Sequence, residues 1–128
     1  MVVGYPPGER SRTMESRYDL RCPVARTLDV IGERWTILIL RDLFKQGPLR
    51  FQDLERSLEG VSPNTLSARL KGLMDRGIID RRFYEEHPPR AEYFLTDKGR
   101  TLGPILKALY EWGQKHAPHA PPDRERRS

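Results

Sequence analysis

GVSPNTLSARLKGLMDRG, residues 60–77, predicts a short helix with its own start and stop signals. Ser62 is a good N-cap, and Pro63 falls at the first helical position, where a missing N–H breaks no hydrogen bond. Gly77 supplies the left-handed residue at which many helices end. The sequence therefore predicts a helix over residues 62–76.

The two sides of this helix differ in their chemistry. Leucines at i, i+4 and i+7 form one stripe that should face a core, namely Leu66, Leu70 and Leu73. The other side is polar, with mostly short side chains, so it can approach another surface closely, and a base edge in the DNA major groove is one such surface. An ordinary helix with a solvated outer face is the competing interpretation. The residues on this side are Asn64, Thr65, Ser67, Ala68, Arg69, Lys71 and Gly72.

The overall composition indicates one soluble domain with a core of modest size. The chain has 128 residues, of which 32% are charged and 37% apolar, and its net charge of +5 permits a nucleic acid as partner without requiring one. The longest apolar run is too short to span a membrane, and the N-terminus lacks the apolar segment of a signal peptide, so we expect a cytoplasmic protein. The single cysteine excludes an internal disulfide and fits a reducing compartment.

The apolar periodicity that predicts ordered structure is confined to the middle of the chain. Residues 1–18 and 118–128 are rich in proline, arginine and small residues without apolar periodicity, so we expect a disordered arm and tail around one domain over residues 19–117. Nothing marks a nucleophile, a glycine-rich phosphate loop or a metal site, so we expect neither catalysis nor a metal or cofactor.

Two helices and a short strand are predicted before the stretch quoted above. The first helix begins near Pro23 and ends at Gly32, and the second, over residues 35–45, is apolar nearly all round and should be the central core helix. A very short strand over residues 49–51 and a helix through Leu58 follow. This last helix, a tight glycine-containing turn and a second helix with a polar outer face make a helix-turn-helix arrangement.

A hairpin follows the polar-faced helix. The periodicity changes from 3.6 to about 2, and two β-prone runs occupy residues 79–84 and 92–95. Residues 85–90 lie between them and contain two prolines, which predicts a stiff loop. The order of elements is that of a winged helix-turn-helix, so the predicted fold is mainly α with a small β-wing over residues 78–95.

The chain then enters a long helix that should leave an apolar surface uncovered. Thr96 is a plausible N-cap, and Gly103-Pro104 should kink the helix without ending it. Pairing with a second subunit is the economical way to bury the apolar stripe, so we expect a homodimer. Folding of the stripe onto its own core is the alternative. The stripe contains Leu102, Ile105, Leu106, Leu109 and Trp112.

Several short motifs occur in a fixed order over residues 22–116. They are Cys22-Pro23-Val24, IGERWT at 31–36, GPLRF at 47–51, Ser62-Pro63 with Leu66 and Arg69-Leu70, Pro88-Pro89-Arg90 with Tyr93, Leu95-Thr96 and Trp112-Gly113. With these motifs the chain resembles the HxlR family of bacterial winged-helix transcription regulators, which are relatives of the MarR type. The resemblance implies a homodimer joined by its first and last helices, which places Val24 and Leu28 at the interface as well. It also implies a palindromic DNA operator, with the recognition helix in the major groove and the wing in the adjacent minor groove.

The candidate DNA-binding residues follow from this placement. Asn64 suits an adenine edge and Lys71 suits guanine acceptors. Arg90, on a stiff wing loop, is the minor-groove candidate, whereas Arg69 lies on the flank of the helix and should contact phosphate or form an internal ion pair. The remaining predicted DNA-binding residues are Arg50, Ser62, Thr65 and Ser67.

Cys22 is the candidate for regulation by thiol chemistry. It precedes a proline at a helix start, between Arg21 and Arg26, a setting that favours the thiolate. Some HxlR-type regulators are similar in carrying an oxidant- or electrophile-sensing cysteine before this proline. Because the chain has no second cysteine, sensing would require a bond to the other subunit, a mixed disulfide or alkylation. A cysteine used as a small apolar residue is the alternative.

Two further functions compete with a thiol-switched repressor. One is a regulator that responds to a small ligand bound between the dimer helices and the core. The other is a winged-helix domain that contacts only protein, which an acidic outer face on the recognition helix would favour. Here that face is neutral to basic.

Overall fold

The computed structural model describes residues 21–118, so the arm predicted over residues 1–18 and all but the first residue of the predicted tail lie outside the described residues. The described part contains six helices and a three-stranded antiparallel sheet. In chain order the elements are α1 (Pro23–Ile31), α2 (Arg34–Gln46), β1 (Leu49–Arg50), α3 (Phe51–Ser57), α4 (Pro63–Asp75), β2 (Ile79–Glu86), β3 (Pro89–Leu95), α5 (Asp97–Arg100) and α6 (Gly103–His116).

Helix α4 begins and ends at the predicted signals. The Ser62 Oγ accepts a hydrogen bond from the backbone N–H of Thr65 at 3.1 Å. At the other end Gly77 has φ +75°, and the N–H of Ile78 donates to the carbonyl of Leu73 at 3.0 Å. This closing bond belongs to the expected left-handed helix stop. The predicted leucine stripe is buried against the core, as expected.

Helix α2 runs through the centre of the molecule. Its start is capped by Glu33, whose carboxylate accepts from the backbone N–H of Thr36 at 2.9 Å, and it ends at Gly47. The prediction that this helix is buried nearly all round was partly wrong. Trp35, Ile37, Leu38 and Phe44 are only half-buried, whereas the polar residues Thr36 and Asp42 are buried. The buried cluster around this helix comprises Ile31, Ile39, Leu40, Leu43, Leu49, Leu54, Leu58, Leu66, Leu70, Leu73, Ile78, Ile79 and Tyr93.

The wing is a longer hairpin than predicted. Strand β3 lies between β1 and β2, with Leu49 opposite Tyr93 and Ile79 opposite Leu95. The pairing continues to Glu86 opposite Pro89, so the predicted six-residue loop is a two-residue turn with a cis His87-Pro88 bond. A proline can begin a strand because its fixed φ suits extended backbone and its missing N–H is tolerated at that position. Pro89 therefore does not interrupt the strand pairing, and the loop is shorter than predicted.

The predicted long helix after Thr96 is two helices. Thr96 caps α5, since its hydroxyl accepts from the N–H of Gly99 at 3.0 Å, but α5 ends at Arg100 and α6 begins at Gly103. The expected kink is therefore a break. Pro104 lacks the N–H that a continuous helix would use and its ring clashes with the preceding turn.

The apolar stripe of α6 divides into two parts. Leu102 and Leu106 are partly buried against the core of their own chain, as the alternative of folding back expected for the stripe, and their place in a subunit interface stays a prediction. The outward part is exposed and contains Ile105, Leu109, Tyr110 and Trp112; on α1, Val24 and Leu28 are exposed too.

Candidate nucleic-acid interface

The turn before α4 presents the outer face of that helix to solvent. Gly60 adopts φ +97° and the N–H of Val61 donates to the carbonyl of Leu58 at 3.0 Å, which reverses the chain between α3 and α4. The expected outward residues of α4 are exposed, except that Thr65 and Arg69 are half-buried. The exposed ones are Asn64, Ser67, Ala68, Lys71 and Gly72.

The first turn of α4 uses its hydroxyls locally. Ser62 Oγ accepts from the Thr65 N–H and donates to Thr65 Oγ1 at 3.0 Å. The hydroxyl of Ser62 is thus committed to the cap. Asn64, between these two residues, has an exposed side chain and is the amide that the helix start presents outward.

Lys71 is in a weak ion pair on the same face. Its Nζ lies 3.1 Å from Oδ2 of Asp75, one turn further along, and both side chains are exposed. An exposed pair of this kind contributes less than about 1 kcal/mol and is screened by salt. A DNA acceptor can therefore replace Asp75 at little cost.

Arg69 forms the internal ion pair that was one of its two predicted roles. Its Nε lies 3.1 Å from Oε1 of Glu33, at the start of α2. The interaction is an ion pair without a hydrogen bond at Nε. The Nε atom is buried and has no hydrogen-bond partner within the described part of the chain. Arg69 thus joins the recognition helix to the core helix, and phosphate contact by Arg69 remains only a prediction.

The two predicted arginines on the wing side are both paired with acids. Arg90 Nε lies 2.9 Å from Oε1 of Glu85, the residue opposite it in the hairpin. Arg50 Nε lies 3.5 Å from Oδ2 of Asp53. A hydrogen bond to Tyr84, with a smaller contribution from Asp53, raises the pKa of Arg50 above its ordinary value. The backbone N–H of Arg50 donates to the Asp53 carboxylate at 3.0 Å and lowers the pKa of Asp53.

Tyr84 and Gln52 are residues of this surface that the sequence patterns did not single out. They line one open cleft of about 290 Å³ together with Arg50 and Arg90. Strict alternation along β2 gives no indication of this contact, because it depends on a bulge in the strand between Phe83 and Glu85. The available signal in the sequence was an aromatic residue, Tyr84, close to the arginines Arg81 and Arg82.

Cys22 occupies the N-cap position of α1. Its backbone is extended and its side chain is half-exposed and free. Among residues 21–118 no group of histidine, cysteine and acidic side chains has the arrangement of a metal site. In the same residues, no helix combines the length and apolar character needed to cross a bilayer.

Comparison with known proteins gives the family. Residues 30–121 match the family model described as HxlR-like helix-turn-helix. A helix-turn-helix transcriptional regulator of Halalkalibacterium halodurans is 43% identical over 94 residues, which are 73% of this chain and 83% of that protein.

Two solved structures are similar in fold and sequence. The redox regulator HypR in its oxidised form has a TM-score of 0.70 and 38% identity, covering 74% of this chain and 97% of that one. The reduced form of the transcriptional regulator YodB from Bacillus subtilis has a TM-score of 0.63 and 30% identity, covering 74% and 93%. The fold, the exposed face of α4 and these matches together show that the chain belongs to the HxlR-like helix-turn-helix family of transcriptional regulators.

Proposed function

We propose that the protein is a cytoplasmic homodimeric repressor that reads a palindromic operator. The observation that carries this proposal is the exposed, neutral-to-basic face of α4 beside the wing hairpin. In a two-fold dimer, two such helices about 34 Å apart reach successive major grooves on one side of a duplex. Repression follows where the operator overlaps a promoter.

Each subunit would read bases with α4 and hold the backbone with the residues around it. Asn64 pairs with an adenine edge, and Lys71 leaves Asp75 for a guanine acceptor. Arg90 enters the minor groove at the wing, where the narrow groove concentrates negative potential. The other DNA contacts of the proposal are Arg50, Ser62, Thr65, Ser67 and, through phosphate, Arg69.

The exposed apolar residues of α1 and α6 support the dimer. Leu109 is 49% exposed, Trp112 63% and Val24 67%. Three large apolar side chains left this open in a small domain favour burial against a second copy. The proposed interface contains Val24, Leu28, Leu102, Ile105, Leu106, Leu109 and Trp112, to which we add Tyr110 because it is exposed on the same helix.

Selection of bound DNA from a random-sequence pool tests the operator proposal. We expect an enriched palindrome whose half-site centres are separated by about 10 base pairs, one helical turn. Enrichment of a single half-site without its inverted copy would contradict the dimeric arrangement. No enrichment at all would contradict DNA reading.

A thiol switch at Cys22 is a second part of the proposal, because the similar structures include a redox regulator. Cys22 is half-exposed, so an oxidant or electrophile can reach its sulfur. Modification at the start of α1 would shift that helix in the dimer and release DNA. We expect treatment with diamide to abolish operator binding by the parent protein. The Cys22→Ser protein should still bind the operator after the same treatment.

The competing proposal is a regulator that responds to a small ligand, and a cleft between α1 and α5–α6 favours it. The cleft has a volume of about 360 Å³ and an apolar floor that includes Val30, Ile31 and Leu102. If an electrophile released DNA from Cys22→Ser as readily as from the parent, binding in this cleft would replace thiol chemistry as the explanation.

A further inference from the structure

A bulge in the wing turns one tyrosine toward the body of the domain. In the hairpin Phe83 lies opposite Ala91 and Glu85 lies opposite Arg90, so Tyr84 has no residue opposite it. An extra residue of this kind bends the strand and re-aims its side chain. The Tyr84 side chain lies beside Arg50, since both residues line one cleft, and the interaction raises the pKa of Arg50 above its ordinary value.

The contact forms one wall of the cleft named above. Arg50 and Gln52 line it from the end of β1 and the start of α3, Tyr84 lines it from β2, and Pro88, Pro89 and Arg90 line it from the hairpin turn and β3. The side chains of Arg50 and Arg90 are 51% and 52% exposed. The cleft is thus open to solvent and bordered by two guanidinium groups.

Both guanidinium groups keep donors available. A guanidinium has five N–H donors, and Asp53 faces only the Nε side of Arg50 at 3.5 Å. The Asp53 carboxylate is held to the start of α3 by the N–H of Arg50. Glu85 is 53% exposed, and its surface ion pair with Arg90 is weak enough for another anion to replace. Planar guanidinium forks suit phosphate oxygens.

We propose that this cleft binds one backbone phosphate of the operator through Arg50 and Tyr84, on the strand bordering the minor groove that Arg90 enters. The inference rests on the proposed function. A phosphate protrudes from a duplex and can enter a concave site, whereas a base edge cannot. Because Arg50 precedes the helix-turn-helix and Tyr84 belongs to the wing, one phosphate held between them sets the position of the wing relative to α4.

Affinity for the selected operator, measured over a series of KCl concentrations, tests the contact. Arg50→Gln removes a charge, so the slope of log K against log [KCl] should fall by about 0.9 per subunit. Tyr84→Phe removes only a neutral hydroxyl and should weaken binding about five- to tenfold with the slope unchanged. The matched control is Arg76→Gln, at the far end of α4 where Arg76 faces Asp29 at 3.4 Å, and it should leave the slope unchanged.

Phosphate ethylation interference gives the position directly. Ethylation of one phosphate per half-site should block binding of the wild type, and binding by Arg50→Gln should no longer depend on that phosphate while the other positions still interfere. The inference is wrong if the wild type and Arg50→Gln show the same ethylation interference pattern, or if Arg50→Gln and Arg76→Gln have the same salt slope. In either case the proposed function stands as long as the wild type binds the operator. A wild type that selects no operator would overturn both.

Discussion

Asn64 has the exposed amide that we propose reads a base. It follows Pro63 in the first turn of α4, and it is exposed because the cap beside it is made by Ser62 and Thr65. An asparagine amide offers one donor and one acceptor, which matches the two groups of adenine in the major groove. A residue with this role should affect sequence preference and leave general DNA affinity nearly unchanged.

Asn64→Ala should therefore reduce discrimination at one base pair of each half-site by about 1–3 kcal/mol. Competition between the selected operator and single-position variants measures this loss. Gln114→Ala, which removes an exposed amide from α6, is the matched control and should leave the preference intact. Equal loss of affinity for operator and random DNA would show that Asn64 does not read a base.

Asp53 should make stability depend on pH. Its pKa is lowered from 3.8 by the N–H of Arg50, so the folded state favours the carboxylate. The stabilisation is present above the ordinary carboxyl pKa and is lost as pH falls through the lowered value. Asp53→Asn should destabilise the protein at neutral pH, and the difference should shrink below about pH 4.

Urea unfolding of both proteins over a pH series measures this difference. Glu111→Gln is the control, since Glu111 is exposed and its distance to Lys107 is 3.8 Å. That substitution should show little pH-dependent effect. A difference for Asp53→Asn that grows on acidification would contradict the assigned cause.

Helix α4 is held by one cap and one buried stripe. The cap satisfies an N–H that would otherwise lack a partner, and Leu66, Leu70 and Leu73 anchor the helix to the core. The leucines thus contribute to the stability of α4 without belonging to its outer face, whereas Ser62 and Thr65 belong both to the cap and to the proposed DNA contacts. Substitutions can separate the two roles.

Ser62→Ala should lower the free energy of unfolding by about 1 kcal/mol, because the Thr65 N–H loses its acceptor. Ser67→Ala removes an exposed hydroxyl from the same helix and should change the value by less than about 0.5 kcal/mol. Chemical denaturation of both variants makes the comparison. Equal effects would show that the cap does not stabilise α4.

The wing shows how two prolines act within a hairpin. Pro89 begins β3 opposite Glu86, and Pro88 forms the turn with His87. The sequence analysis predicted a stiff loop over residues 85–90 from the two prolines, but the first position of a strand tolerates proline. The longer strands carry Arg90 next to Glu85 and bring Tyr84 to Arg50.

In the molecule as a whole, α1 and α6 carry the apolar surface that one copy leaves open, which we propose a second copy covers. Leu109 and Trp112 are exposed on the side of α6 away from its own core, whereas Leu102 and Leu106 point inward. A dimer buries the first pair and holds the two α4 helices at a fixed separation. Operator affinity should therefore depend on this surface, because a palindrome requires two linked reading helices.

Leu109→Glu should convert the dimer to a monomer, since a carboxylate in an apolar interface loses its hydration without a partner. Size-exclusion chromatography with light scattering measures the mass. Gln114→Glu introduces the same charge at an exposed position of the same helix and should remain dimeric. A monomeric wild type, or a dimeric Leu109→Glu, would place the interface elsewhere.

Features set by neighbouring residues could be read from the sequence. The caps at Ser62 and Thr96, the stop at Gly77 and the leucine stripe of α4 depend on groups within a few positions of each other, so residue type and spacing were sufficient to predict them. The order of these elements then indicated the winged helix-turn-helix and the face that reads DNA. The family match confirms the helix-turn-helix, and the face that reads DNA stays a prediction.

Contacts between residues far apart in the chain required the tertiary structure. The ion pair of Arg69 with Glu33, the burial of Asp42 in α2 and the contact of Arg50 with Tyr84 depend on which faces the packing brings together. Their residue types are common on any surface, and local periodicity carries no information about a partner on another element. Packing alone determines which charges are paired internally and which remain available to DNA.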